Sequence, residues 1–267
     1  MVAKFVKTLP VPLVNTLRNT RDTFKMAVAW PESQFHPWRR DSIRKLDALR
    51  NTHTDERCFI IGNGPSLKNT DLSKLKDEFT IGMNRFYLAF ADLGFATSAL
   101  LTVNDLVIEQ CAEDIRALPI PTFVSWRGRK WVHPASDLHY LYTSYDLPRF
   151  NGNAAGRLWE GATVTFVAMQ LAFHMGFRQV VLIGVDHSFA THGKPNTTVV
   201  SGGDDPNHFN ASYFGKGFRW QLPDLETSEI AYTMAREAYK DAGREIVDAT
   251  VGGKLTVFPK VAYESLF

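Results

Sequence analysis

The sequence predicts an α/β fold: a mainly parallel sheet with helices on both faces, a lid-like insertion and an N-terminal extension. Three observations predict it. Short apolar runs recur between helical segments from residue 57 onward, the first run ends in a glycine turn and a helix-start signal, and polar residues gather where the runs end. Strands alternating with helices imply parallel pairing with both faces covered. In such sheets ligands lie outside the carboxyl ends of the strands, near the switch in strand order.

Composition sets the bounds. The chain has 267 residues, 45% hydrophobic and 22% charged, enough for one full α/β domain with extensions. Thirty Lys and Arg against 28 Asp and Glu leave a net charge of +2, too small to argue for nucleic acid. Cys58 and Cys111 are the two cysteines; they give neither a bridge framework nor metal spacing and suit a reducing cytoplasm. No run of about 18 apolar residues occurs, so no spanning segment is expected.

Residues 1–50 read as the extension, mildly basic (Lys4, Lys7, Arg18, Arg21, Lys25) and broken by Pro10 and Pro12, without the apolar centre of a signal peptide. Its aromatic and basic cluster from Trp30 to Arg40 is expected to pack on the main domain, 51–267, with a partner or a membrane surface as alternatives. Cys58 to Ile61 is a buried strand after the polar run 51–57. Gly62 and Gly64 let the chain turn where a Cβ would clash, and Pro65 suits the first position of a helix. Free N–H groups at that helix start, with Ser66, form a site for phosphate or carboxylate; a plain strand-to-helix turn is the alternative. The spacing is neither G-x-G-x-x-G nor a Walker motif.

Residues 79–83, 98–103 and 121–125 are the next strands, and 161–176 a buried helix that Gly176 ends. Residues 179–184 form a strongly apolar strand. An amphipathic helix over 230–242 leads to a last strand at 245–248. The strand ends carry Asn63, then Asn84 and Arg85, then Asn104 and Asp105, then Asp186 and His187. An asparagine offers two donors and an acceptor to a base, ribose or sugar hydroxyl, although Asn and Asp also simply terminate strands.

The run Ile60-Ile-Gly-Asn-Gly-Pro-Ser-Leu-Lys68, with Asp71, Leu75, Phe79 and Met83-Asn-Arg-Phe-Tyr87, resembles the opening of the bacterial sialyltransferases of glycosyltransferase family 42. It also resembles the 6-hydroxymethylpterin diphosphokinase MptE-like family, which shares the Gly-x-Gly-Pro-Ser-Leu turn and a later Gly-x-Asp strand end. The likeness covers 57–110 and 159–190, and more loosely 204–250. It implies a Rossmann-like, nucleotide-binding catalytic domain. By the sialyltransferase resemblance, Asn63, Asn84 and Asn104 match asparagines that contact the cytidine nucleotide donor. Thr163 lies near a nucleotide-contacting Thr/Ser-Gly segment, although the Ser-Gly pair itself is absent. Gly184-Val-Asp186 matches a Gly-Ile-Asp strand end. Ser188 stands where that family has a phosphate-contacting tyrosine, so another hydroxyl or a cation would do its work.

The same resemblance implies a histidine base after this strand, and a near-neutral imidazole suits proton removal from an acceptor hydroxyl. His208 is the preferred base, with His187 and His192 as rivals; where the family's base aligns, this chain has the aromatic run 214–220. Residues 188–223 have little periodicity and read as a lid or acceptor-binding insertion. There Tyr213 and Trp220, with Phe214 and Phe218, would stack on a sugar or base, and Lys216 and Arg219 would meet phosphate or carboxylate. The alternative is an aromatic patch that folds the loop onto the body.

The expected activity is transfer of a sugar, a nonulosonic acid, from a CMP-activated donor to a glycan or lipid-linked acceptor, with no cofactor and no metal. The alternatives are an MptE-like diphosphokinase using ATP and Mg²⁺, with Asp105 and Asp186 as candidate metal ligands, and a non-catalytic nucleotide or glycan-binding module. The expected location is cytoplasmic, with room for peripheral contact at the inner membrane face and for a homo-oligomer.

Overall fold

The computed structural model describes residues 28, 30–191 and 193–267; Lys4, Lys7, Pro10, Pro12, Arg18, Arg21, Lys25 and the rival base His192 lie outside them. Eight parallel strands form one sheet in the order β10-β7-β1-β2-β3-β4-β5-β6. They are β1 (Arg57–Ile61), β2 (Thr80–Met83), β3 (Ala99–Thr102), β4 (Thr122–Ser125), β5 (Leu138–Ser144), β6 (Arg157–Trp159), β7 (Gln179–Ile183) and β10 (Glu245–Asp248). From β1 the chain steps outward through β2 to β6, then returns to lay β7 on the other side of β1. The connections after β1 and β7 therefore leave in opposite directions. That is the switch point, and it opens a crevice at the carboxyl edge.

Both faces of the sheet are covered, as alternate residues of β1 show. Cys58 and Ile60 pack into the core that holds the Val164–Met175 and Leu225–Asp241 helices. Phe59 and Ile61 face a second core with Leu67, Leu75 and Phe86. Each of these four strand residues is at most 1% exposed, and full burial of such a side chain stabilises by about 1.5–3 kcal/mol. The first face carries long helices; the other carries short helices and 3₁₀ turns. Val164–Met175 is buried along ten of its twelve residues. Thr163 caps it by accepting from the Thr165 N–H, and Gly176 ends it at φ 101°, a left-handed position that favours glycine.

Several expectations need correction. Pro65 starts a five-residue 3₁₀ turn, Pro65–Asn69, in place of an α-helix. The buried helix begins at Val164, because Gly161 and Ala162 have φ of 51° and 60° and cannot continue a right-handed helix. The amphipathic helix begins five residues earlier than expected, at Leu225, where Asp224 accepts from the Thr227 N–H. Strands β5 and β6 were not anticipated. Nor were the short helices Asp105–Gln110 and Ala112–Ala117.

Within the expected extension, Pro37–Ala48 is a helix lying on β5. Leu46 and Arg39 are fully buried there, and the Arg39 guanidinium donates to the Ala155 and Gly156 carbonyls. Trp38 packs beside Tyr140, whereas Trp30 and Phe35 are exposed. The insertion carries an antiparallel pair, β8 (Thr198–Val200) with β9 (Arg219–Gln221). Among the described residues no helix is long and apolar enough to cross a membrane.

Candidate functional site

A cleft of about 270 Å³ lies at the switch point, walled by the loops after β1, β2, β3, β6 and β7 and roofed by the insertion. Its lining includes Gly62, Asn63, Gly64, Asn84, Asn104, Thr163, Asp186, His187, Ser188, His208 and Trp220 of the expected site. Ser66, Arg85, Asp105, Tyr213, Lys216 and Arg219 are not in its lining.

The turn after β1 has a different chemistry from the one expected. Gly62 N–H donates to the Ile183 carbonyl and Gly64 N–H to the Gly184 carbonyl. The Asp186 carboxylate accepts from the Ser66 N–H at 3.0 Å and from its hydroxyl at 2.6 Å. The anion at this turn is the chain's own Asp186, so Ser66 does not serve a ligand. The two glycines permit the close approach of the β1 and β7 loops: a Cβ on Gly62 would stand 2.1 Å from the Gly184 oxygen, and one on Gly64 1.8 Å from Asp186 Oδ2.

The three asparagines converge on the cleft with opposite polarity. Asn84 Oδ1 accepts from the Thr102 hydroxyl, and Asn104 Oδ1 caps Asp105–Gln110 by accepting from the Leu106 and Val107 N–H groups. Their carbonyls are thus spent on the protein, and each amide NH₂ is left without a partner among the described residues. Asn63 is reversed: its Nδ2 donates to the Met83 carbonyl, and its Oδ1 is buried without a partner. These orientations follow from the hydrogen-bond network. A ligand here meets two donors, the NH₂ groups of Asn84 and Asn104.

The insertion delivers a histidine–carboxylate pair. Asp205 is 6% exposed; its Oδ1 accepts from the Asn207 N–H, and its Oδ2 accepts from the Phe214 N–H and meets His208 Nδ1 at 2.6 Å. The neutral imidazole then carries its proton on Nδ1 and keeps the Nε2 lone pair. The His208 ring stacks on Tyr213 at 4.0 Å. The Phe209 N–H donates to the Asn63 carbonyl, which ties this segment to the β1 turn. His187 Nε2 meets Glu229 Oε1 at 2.7 Å.

Four residues expected at the ligand lie outside the cleft lining. Arg85 holds the insertion, its guanidinium donating to the Ser212 and Tyr213 carbonyls. Tyr213 is fully buried, between His208 and Phe214. Arg219 pairs with Glu109 at 3.1 Å, away from the cleft. Lys216 is exposed. The aromatics therefore fold the insertion onto the body, while Phe214 and Trp220 reach the cleft.

Sequence reasoning missed the far wall. Arg127, after β4, binds Asp105 through Nε at 3.1 Å and Thr143 through Nη1; its Nη2 reaches the Val103 carbonyl at 3.2 Å, the Tyr145 hydroxyl at 2.6 Å and Glu160 Oε1 at 2.7 Å. Burial opposes the charge on Arg127, but Glu160, Tyr145 and Asp105 outweigh it and raise its pKa. Burial pushes the Glu160 carboxyl up, against the pull of Arg127 and Thr143. Glu160 and Tyr145 line the cleft. The available signal was the Trp159-Glu-Gly-Ala-Thr163 turn, whose Glu was not singled out.

The acidic residues do not fit a Mg²⁺ ion. Asp105 is held by Arg127 and both Asp186 oxygens by Ser66. Among the described residues no three His, Cys, Asp or Glu side chains gather as a metal set.

The model of the family described as 6-hydroxymethylpterin diphosphokinase MptE-like matches residues 37–192, from the helix on β5 through β7 into the insertion. The solved structure of the MAf glycosyltransferase from Magnetospirillum magneticum AMB-1 superposes with a TM-score of 0.50 at 14% identity, covering 92% of this chain and 42% of that one. At that identity the likeness concerns the fold, and this chain spans about two fifths of that protein's length. No curated protein matches the chain.

Proposed function

The chain belongs to the 6-hydroxymethylpterin diphosphokinase MptE-like family, and on that footing we propose that it is a nucleotide-dependent transferase. In this reading it moves a sugar, a nonulosonic acid, from a CMP-activated donor to a hydroxyl of a glycan or lipid-linked acceptor. The observation that carries the reading is the Asp205–His208 pair at the cleft. A base oriented by a carboxylate, with its second nitrogen free, is the arrangement that proton removal requires. The acceptor oxygen bonds to the anomeric carbon, the bond from that carbon to the phosphate oxygen breaks, and CMP leaves with the electron pair. The acceptor proton goes to His208 Nε2.

The family's description favours a second reading, a diphosphokinase passing pyrophosphate from ATP to a pterin-like hydroxymethyl group. The charge of the cleft speaks against it. A polyphosphate with its Mg²⁺ is ordinarily held by Lys or Arg and by free carboxylates, whereas the ionisable acids and bases lining this cleft are Glu160, Asp186, His187, His208 and the phenols of Tyr145 and Tyr232. A single phosphate, met by hydroxyls, amides and histidine, asks less of such a site.

Thermal unfolding with CMP, or with ATP and Mg²⁺, separates the two. A nucleotide at a hundred times its Kd adds about 2.7 kcal/mol, or roughly 5–10 °C at this chain length. We expect that rise with CMP; a rise with ATP and Mg²⁺ alone would overturn the reading. Asp205→Asn should lower turnover of a CMP-sugar by about a hundredfold, the scale of general-base catalysis, and leave CMP affinity unchanged. Unchanged turnover would remove His208 from the mechanism.

A further inference from the structure

The far wall of the cleft has no role in the mechanism above, yet it is the most elaborately built part. Glu160 is 5% exposed and lines the cleft. Both of its protein donors, Arg127 Nη2 at 2.7 Å and the Thr143 hydroxyl at 2.6 Å, go to the same oxygen, Oε1. Oε2 has no donor among the described residues. With Oε1 committed to the protein, Oε2 is the part of the carboxylate that opens to the cleft, and it is the acceptor that a ligand's donor would meet there.

The neighbours indicate what kind of donor. Arg127 Nη2 touches Glu160 Oε1, the Tyr145 hydroxyl and the carbonyl of Val103, the residue before Asn104. One nitrogen thus draws the ends of β3, β5 and β6 together beside the cleft. Asn104, also in the lining, brings an unpartnered NH₂. The guanidinium is committed to two carboxylates, Glu160 and Asp105, so the cluster has no spare positive charge for a phosphate or an acid. An acceptor from Glu160 beside a donor from Asn104 suits adjacent hydroxyls, each of which both donates and accepts.

We infer that the β3–β6 end of the cleft is a subsite for vicinal hydroxyls of an uncharged sugar ring, with Glu160 Oε2 accepting from one hydroxyl and Asn104 Nδ2 donating to its neighbour. This deepens the proposed function and rests on it for the identity of the ligand. Two sources share the chemistry: the ribose of the nucleotide, and a neutral sugar of the acceptor. On either account the carboxylate of a nonulosonic acid lies away from this wall.

Glu160→Gln is the informative variant. Its carbonyl can keep the Arg127 and Thr143 contacts at Oε1, while an NH₂ replaces the accepting Oε2. Titration calorimetry of wild type and variant with CMP and 2′,3′-dideoxy-CMP forms one arm, and NMR titration with methyl β-galactopyranoside the other. If ribose fills the subsite, wild type binds CMP about tenfold more tightly than the dideoxy analogue, and Glu160→Gln narrows the difference to what the Asn104 contact supplies. If the acceptor sugar fills it, the two nucleotides bind alike and the variant weakens galactoside binding about tenfold. A variant unchanged in both arms overturns the inference, whereas CMP failing to bind wild type counts against the nucleotide reading and leaves the galactoside arm to decide. Should Glu160→Gln not fold, Tyr145→Leu, at a side chain 60% exposed, tests the same wall by the same two arms.

Discussion

The turn after β1 can be tested by removing the anion that the chain places there. Asp186→Ala takes both acceptors from Ser66, whose N–H and hydroxyl lie 3.0 and 2.6 Å from the carboxylate. Ser66 is 7% exposed, so water replaces little of the loss. Hydrogen bonds to a charged group contribute about 1.5–3 kcal/mol each, and two that share one carboxylate do not add fully. The expected loss is about 2–4 kcal/mol, a fall in Tm of roughly 4–16 °C at this chain length. Asp186→Asn keeps one oxygen for the Ser66 N–H and should cost about half as much. In a double-mutant cycle by urea unfolding, Ser66→Ala and Asp186→Asn should couple by about 1 kcal/mol or more. Single variants within 0.5 kcal/mol of wild type, with no coupling, would refute the argument that this carboxylate is structural and return it to the ligand.

Two further outcomes follow from packing and burial. Gly64→Ala puts a Cβ 1.8 Å from Asp186 Oδ2 and should destabilise by about 3 kcal/mol or more, whereas Gly202→Ala, with nothing within 4 Å, should stay within about 0.5 kcal/mol; equal melting temperatures would contradict the loop contact. Burial holds the His139 imidazole down to about 4 from 6.5. Its neutral form is therefore favoured in the fold, and the unfolded chain binds the extra proton between those values. Stability from this group is complete above pH 6.5 and is lost as pH falls toward 4, by about 3 kcal/mol. His139→Phe should flatten the stability profile in that window, apart from a residual slope from His174, whose pKa burial also lowers; an unaltered profile would show that His139 does not carry the slope.

The sheet was legible where its strands alternate with recognisable helices. Runs such as Cys58–Ile61 and 179–184 are apolar on both faces because both are covered, and glycine turns mark their ends. β5 escaped because Leu138–Ser144 mixes His, Tyr, Thr and Ser into a fully buried strand, and β6 because three residues carry no period. The strand-end asparagines were readable as residues, but their polarity was not: which end of each amide faces the cleft depends on Met83, Thr102 and the helix cap. Glu160 was hidden because the residues that define it, Arg127 and Thr143, are distant in sequence. The likeness of the turn to an anion site was real, yet the occupant arrives from β7, 120 residues away. Pairing across that distance leaves no local pattern.

The backbone around the cleft indicates where the fold sacrifices stability for placement. Among the described non-glycine residues with positive φ, four line the cleft: Asn196 in the insertion, and Asn84, Ala162 and His187, at 52°, 60° and 54°, just after strand ends. Such positions cost about 1–3 kcal/mol each and persist only where surrounding contacts over-determine them. Asn84 tolerates the conformation best and is held by Thr102 and by its own N–H on the Leu101 carbonyl. His187 is fixed at its ring by Glu229. Ala162 has no such side-chain tether; it is confined between Gly161 and the Thr163 cap. Each of the three turns the chain where a strand end meets the cleft, and Asn84, Glu160 and Asp186, from strands that run parallel, all reach its lining. A sheet of parallel strands presents its carboxyl ends as a row; these three bends gather that row into one pocket.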